Sequence, residues 1–248
     1  MATPRFYYSG VLEAQAQITL PPELTHYIQR VLRLATHTQV VLFNGQGGEY
    51  TARLQHEGKK TLATIEQHYL IERELPWRIS IAQGLATGDK MDWVCEKAVE
   101  MGACDLIPIA GQFSTLKLSG ERLTKRLAHW QRIAQAASEQ CGRNQLLQVH
   151  SLHTVAHLTQ SEFNQSQLIF CDPEATQDFP AALELATQKN TAHWTLLIGP
   201  EGGWSDAEKK AAIQAGAIAM RFGTRVLRTE TAAIALLGAI RGHMGWVD

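Results

Sequence analysis

Hydrophobic positions change rhythm near residue 73. Before it they come in short runs that partly alternate with polar ones: RFYYSG, AQITL, TQVVLF, GEYTARLQ and TLATIEQHYL. Period-two alternation in β-branched and aromatic residues predicts strands. Asn44-Gly45 lies between two of these runs and predicts a hairpin turn, with Gly47 and Gly48 beside it. One segment, PPELTHYIQRVLR, departs from the pattern. It opens on prolines and sets Leu24, Ile28, Val31 and Leu32 at helical spacing. Short strands around one helix predict a small barrel over residues 1–72.

From ELPWR onward the pattern alternates between two periods. ISIAQGL reads as a strand, DKMDWVCEKAVEMG as a helix ended by Gly102, and CDLIPIA as a strand. A long helix follows, then strands at QLIFCD and WTLLIG. SDAEKKAAIQAG predicts a helix with Ser205 as N-cap and Glu208 completing a capping box. AIAMRFG is a strand and TETAAIALLGAIRG a final helix. Strands alternating with helices predict a mostly parallel α/β sheet over residues 73–248.

Composition narrows the picture mainly by exclusion. The 248 residues are 45% hydrophobic, enough for a core, and no apolar run approaches the roughly 18 residues of a membrane span. The first ten residues lack a charged region followed by an apolar stretch, so no secretory signal is expected. Cys95, Cys104, Cys141 and Cys171 are scattered without a C-x-x-C pair. That pattern predicts reduced thiols in a cytoplasmic protein, without a zinc site. Cys141 and Cys171 read as structural. His150, His153 and His157 have no partner at ligand spacing and read as surface residues, so no metal is expected. Net charge is −1, which leaves nucleic-acid binding to local patches.

In an open α/β sheet, ligands bind beyond the carboxyl ends of the strands. Two loops qualify. LLIGPEGGW runs from a buried strand into Gly-Pro-Glu-Gly-Gly, and FGTRVLRTETA precedes the last helix. Neither P-loop nor dinucleotide spacing is present, and a carboxylate, Glu201, sits where a phosphate would be repelled. Glycines allow close backbone approach to a flat heterocycle, and Glu201 would favour a nearby cation such as a sulfonium or amine. The plainer alternative is a tight connection with an acidic first turn. The second loop adds Arg225, Arg228 and Glu230. The helix behind it is apolar on nearly every face, which predicts full burial or a subunit interface.

Charge is also clustered. Between Gln112 and Arg143 stand Lys117, Arg122, Lys125, Arg126, Arg132 and Arg143 against Glu121 and Glu139. At helical spacing Leu123, Leu127, Trp130, Ala134 and Ala137 share one arc, and Arg122, Lys125, Arg126, His129 and Arg132 fall beside it, extended by Arg143 if the helix reaches that far. A solvated helix face has the same composition. A second cluster, His26, Arg30 and Arg33, lies in the β-rich part. Two basic faces suit an extended polyanion, making His26, Arg30, Arg33, Lys125, Arg126, Arg132 and Arg143 candidate RNA contacts.

HYIQRVLR, EKAVEMG, EQCGRN, LLIGPEGGW and FGTRVLRTETA, in this order across nearly the whole chain, resemble the ribosomal RNA small-subunit methyltransferase E family of the SPOUT class. Phe222 stands where that family usually has Leu. The resemblance implies an N-terminal PUA-like β-barrel and a C-terminal α/β domain with a deep trefoil knot. It implies a homodimer that uses S-adenosyl-L-methionine to methylate N3 of a uridine in 16S rRNA, within ribosome biogenesis. By motif match the cofactor would rest on Leu197, Ile198, Gly199, Pro200, Glu201, Gly202 and Gly203. The second loop would add Phe222, Gly223, Arg225, Val226, Leu227 and Thr229.

Uracil N3 is a poor nucleophile while protonated, so a base or cation should assist it. Arg228 is expected to stabilise the developing uracil anion, with Glu230 or Glu201 accepting the proton. Two alternatives stand beside this: a SPOUT ribose 2′-O-methyltransferase acting on tRNA or rRNA, and a non-catalytic rRNA-binding assembly factor.

Overall fold

The computed structural model describes residues 3–188 and 191–244; the outermost residues of both expected domains, 1–2 and 245–248, lie outside the described residues. The chain forms two compact units. One is Met1–Glu74 with Ser138–Leu146, the other Leu75–Ala137 with Leu147–Asp248.

The first unit contains β1 (Arg5–Tyr7), β2 (Gln17–Thr19), α1 (Pro22–His26), β3 (Gln39–Phe43), β4 (Glu49–Glu57) and β5 (Lys60–Tyr69). They form a five-stranded sheet in the order β1-β3-β4-β5-β2. β1 runs parallel to β3 and the remaining pairs are antiparallel. Alternation along β4 and β5 sends Ala52, Leu54, Ala63 and Ile65 inward, onto Phe6, Val40, Leu42 and Ile28.

The expected helix from Pro21 to Arg33 is shorter than its spacing suggests. After α1 the chain widens into a π-helical turn, Tyr27–Val31, closed by Leu32 N donating to Tyr27 O at 2.9 Å. Arg33 then takes a φ of +52°. The wider turn keeps Ile28 in the core and leaves Val31 57% exposed.

The second unit contains β6 (Arg78–Gly84), α2 (Lys90–Glu100), β7 (Asp105–Ile109), α3 (Gly120–Cys141), β8 (Gln148–Val149), α4 (Val155–Leu158), β9 (Gln167–Cys171), α5 (Phe179–Gln188), β10 (His193–Ile198), α6 (Asp206–Gln214), β11 (Ile218–Met220) and α7 (Thr229–Met244). The last four residues of α3 belong to the first unit. The six strands are all parallel, in the order β11-β9-β10-β6-β7-β8. α6 begins with the expected capping box, in which Ser205 and Glu208 satisfy each other's backbone N–H. β8, α4 and α5 were not apparent from the pattern.

α7 is covered on one face only. Ala233, Leu236, Leu237 and Ile240 are buried, whereas Ile234, Ala235 and Ala239 are half-buried. Among the described residues no helix is long and apolar enough to cross a membrane, and no group of three ligating side chains could hold a metal.

Candidate active site

β6 and β10 pair in register up to Gln83 and Ile198, so the loops that leave them start side by side. Their approach is very close: a Cβ on Gly84 would lie 2.3 Å from Pro200 N. Thr229, at the start of α7, ties the junction together. Its hydroxyl accepts from Gln83 Nε2 at 2.6 Å and donates to Gly199 O at 2.5 Å. The two loops singled out in the sequence are thereby joined through a buried side chain.

Between them opens a cavity of about 790 Å³. Its wall includes Ile198, Gly199, Pro200, Glu201 and Gly203 from the first loop. The second loop supplies Phe222, Gly223, Arg225, Val226, Leu227 and Arg228, followed by Thr229 and Glu230 of α7. Leu197 is packed in the core, and Gly202 is turned against Phe113. Gly203 and Gly223 have φ of +72° and +74°, and nothing lies within 4 Å of where a Cβ would stand. Bare backbone therefore faces open space at both loops.

The charges differ in how far they are committed. Glu201 Oε1 accepts from Thr87 N at 3.0 Å, Thr87 Oγ1 at 2.9 Å and Lys90 Nζ at 2.8 Å. Partial burial pushes this carboxyl up, but Lys90 and Thr87 outweigh it and hold it at about 2. On the far wall Lys209 Nζ bridges Asp172 at 3.0 Å and Glu174 at 2.6 Å. By contrast, no acceptor meets the exposed Arg225 and Arg228 side chains among the described residues, and Glu230 Oε2 is buried without a hydrogen-bond partner. A buried carboxylate oxygen left unpaired is costly, on the order of 1–3 kcal/mol or more.

Thr87, Lys90, Asp172, Glu174 and Lys209 had escaped the sequence reading. One signal was available: each follows a strand or starts a helix at the carboxyl end of the same sheet.

The expected RNA contacts fall on both units. His26, Arg30 and Arg33 are exposed on the first; Lys125 and Arg132 are exposed and Arg126 half-buried on the second. Lys125 pairs with Glu121 at 2.7 Å on the helix surface. Arg143 does not belong with them. It is 5% exposed, with Nε donating to Glu74 Oε1 at 2.8 Å and Nη2 to Glu74 Oε2. Around it Arg5 donates to Asn144 Oδ1 at 2.7 Å, and Arg73 to Gly142 O at 2.9 Å. The EQCGRN segment is thus an anchor for the end of α3, where cations also favour the helix dipole.

Of the three histidines His157 is exposed as expected, and the other two need the same correction. His153 is buried and stacks on His157 at 4.4 Å, while His150 Nε2 meets Asp105 Oδ1 at 2.8 Å.

A family model for an RNA methyltransferase domain matches residues 73–241, and one for an RNA methyltransferase PUA domain matches residues 20–66. Ribosomal RNA small subunit methyltransferase E of Synechocystis is 30% identical, over 91% of this chain and 73% of its own. The Bacillus subtilis protein of the same name is 29% identical over 92% and 91%. Among solved structures, ribosomal RNA small subunit methyltransferase E from Neisseria gonorrhoeae, bound to S-adenosyl methionine, superposes with a TM-score of 0.88 at 29% identity, covering 98% of both chains. A methyltransferase from Legionella pneumophila in complex with its cofactor SAM gives 0.89 at 28%, again over 98% of both.

Proposed function

This chain belongs to the family of ribosomal RNA small subunit methyltransferases E, and on that premise we propose that it transfers the methyl group of S-adenosylmethionine to N3 of one uridine in 16S rRNA. The observation that carries the reading is the cavity between the two loops, open to backbone at Gly203 and Gly223 and lined by Glu230, which has one buried oxygen without a partner.

The residues present fit that cofactor. A flat purine needs close backbone approach, which the loops at 197–203 and 222–229 offer. A cationic sulfonium and ammonium suit a wall with Glu230 and with the Asp172–Glu174 pair, whose two carboxylates share the single cation of Lys209, and a chamber without a phosphate-binding motif. Bound there, S-adenosylmethionine supplies an electrophilic methyl carbon.

The remaining work falls to side chains. Uracil N3–H must lose its proton to become nucleophilic, and Glu230, with an unclaimed buried oxygen, is the acceptor. Glu201 is unsuited to that role. At a pKa of about 2 it takes no proton near neutrality, and its bonds to Thr87 and Lys90 make it the anchor of the first loop. Arg228, exposed on the cavity wall, stabilises the negative charge that develops on O2 or O4 of the base. His26, Arg30 and Arg33 on one unit and Lys125, Arg126 and Arg132 on the other hold phosphates. The base leaves its stack to react, at a cost of a few kcal/mol.

The same reading extends to architecture. The two units act as the domains expected at 1–72 and 73–248, except that Ser138–Leu146 goes with the first, which closes as a PUA-like barrel. The second is knotted. In its support, β11 lies at the sheet edge beyond β9, yet α7 returns to pack on β10 and β6. Two copies pair through the half-buried apolar face of α7, and the protein works in the cytoplasm.

Incubating 16S rRNA or small subunits with protein and cofactor, then digesting the RNA, tests the chemistry. The expected product is 3-methyluridine. A ribose-methylated nucleoside, or no methylation of either substrate, contradicts the proposal.

A further inference from the structure

The 110–119 loop, between β7 and α3, contributes nothing to the cavity wall. Yet it holds the ring of Phe113 in water, with 49% of the residue exposed. A single exposed aromatic is ordinary on a protein surface. Two things set this one apart, the rigidity of its turn and its position.

The turn is fastened from several sides. Gly111 N donates to Ser114 Oγ at 3.1 Å, and Ser114 N to Gly111 O at 3.1 Å. Gln112 N donates to Glu208 Oε1 at 2.9 Å, so the residue that caps α6 also grips the turn. Lys117 Nζ donates to the carbonyls of Gly111 and Gln112, at 3.3 Å each. Phe113 also presses on the cofactor loop. A Cβ on Gly202 would stand 2.7 Å from Phe113 O and 2.8 Å from Phe113 Cβ, so only glycine fits there. A rigid turn therefore presents a hydrophobic ring beside the very loop that carries Glu201 and Gly203. The same loop runs directly into the first turns of α3, which carry Arg122, Lys125 and Arg126.

Resting on the methyltransferase reading above, we propose that Phe113 is a stacking platform for an unstacked base of the substrate RNA beside the loop that lines the cofactor cavity. A base taken out of its helix loses its stacking neighbours, and an aromatic face restores part of that loss. Such stacking accepts any base, because every base has a π-face. The basic start of α3 suits the phosphates on either side of that base, which favours RNA over an apolar protein partner. A backbone turn already fixed lowers the ordering cost on binding.

Three variants, Phe113→Ala, Phe113→Leu and Phe113→Tyr, separate stacking from packing. RNA affinity is read directly by filter retention and through KM in methyl transfer, with cofactor affinity by calorimetry and Tm as controls. Ala and Leu should each raise Kd and KM for RNA about tenfold. Tyr should stay within about twofold of the parent, because it keeps the π-face. Cofactor affinity and Tm should not move. Leu performing as well as Phe, unchanged RNA affinity in all three, or a change of oligomeric state in Ala would each overturn the proposal. A parent that binds RNA but transfers no methyl group would instead overturn the functional reading, and the Kd values would still decide the role of Phe113.

Discussion

At the amino-terminal end of β6, β7 and β10 the polar groups close on one another; at the carboxyl end of the same strands several stay unpaired beside others that are tied. Asp105 lies at the first end, 3% exposed. It accepts from Ser80 Oγ at 2.7 Å, His150 Nε2 at 2.8 Å and Arg78 Nη2 at 3.1 Å, and Ser80 also meets His193 Nε2 at 2.7 Å. At the second end Arg225, Arg228 and Glu230 Oε2 lack partners among the described residues. The same kinds of residue serve two purposes, and pairing tells them apart. A closed network holds the strand starts in register, whereas the exposed arginines stay hydrated and free to meet a substrate, and the buried Glu230 oxygen is a cost to folding that a donor can offset.

Removing one group at each end should sharpen that contrast. Arg228→Ala is the larger effect: kcat for RNA methylation should fall roughly 100- to 1000-fold, with cofactor affinity and Tm close to the parent's. Parent-like activity would remove Arg228 from the mechanism, and a large loss of Tm would erase the contrast.

Asp105→Ala should do the reverse. It strands His150, Ser80 and Arg78, at about 3 kcal/mol, and should lower Tm by roughly 6–12 °C while leaving turnover at low temperature within about twofold. The parent should also show the network in acid. Burial pushes the Asp105 carboxyl up, but His150, Ser80 and Arg78 together bring it down from 3.8 to about 2. Burial pushes His193 below its usual 6.5. Both folded values are depressed, so both contributions are complete above the unfolded values. Stability should therefore decline first as pH drops below about 6.5, then further from about 3.8 towards 2. In Asp105→Ala the second decline should shrink, measured by Tm against pH; an unchanged acid limb would remove the network from the stability account.

The smallest effect concerns the first unit. Charge reversal of Arg30 and Arg33 to Glu should weaken RNA binding and flatten the slope of log K against log salt by about 1.5. Arg143→Ala should instead cost stability, since it leaves Glu74 buried without its partner.

Much of this was legible in sequence because it is local. Strand and helix alternation beyond residue 73, the Asn44-Gly45 turn, the Ser205 capping box and both cavity loops are written within a few consecutive residues. What stayed hidden depends on distant partners. Arg143 reads as one more surface cation until Glu74, 69 positions away, is seen beside it. His150 likewise needs Asp105, 45 positions away. Glu201 looked chemically active until Thr87 and Lys90 claimed one of its oxygens. The π-helical turn at Tyr27–Val31 escaped because its spacing of apolar residues is nearly that of an α-helix.

The most direct test of the account is a crystal structure with S-adenosylhomocysteine, the demethylated cofactor. It should lie between the Gly199–Gly203 and Phe222–Thr229 backbones, with the Glu230 carboxylate facing the space where a methyl group would be delivered. Binding at any other place on the protein, with the space between Pro200 and Val226 left to solvent, would contradict it.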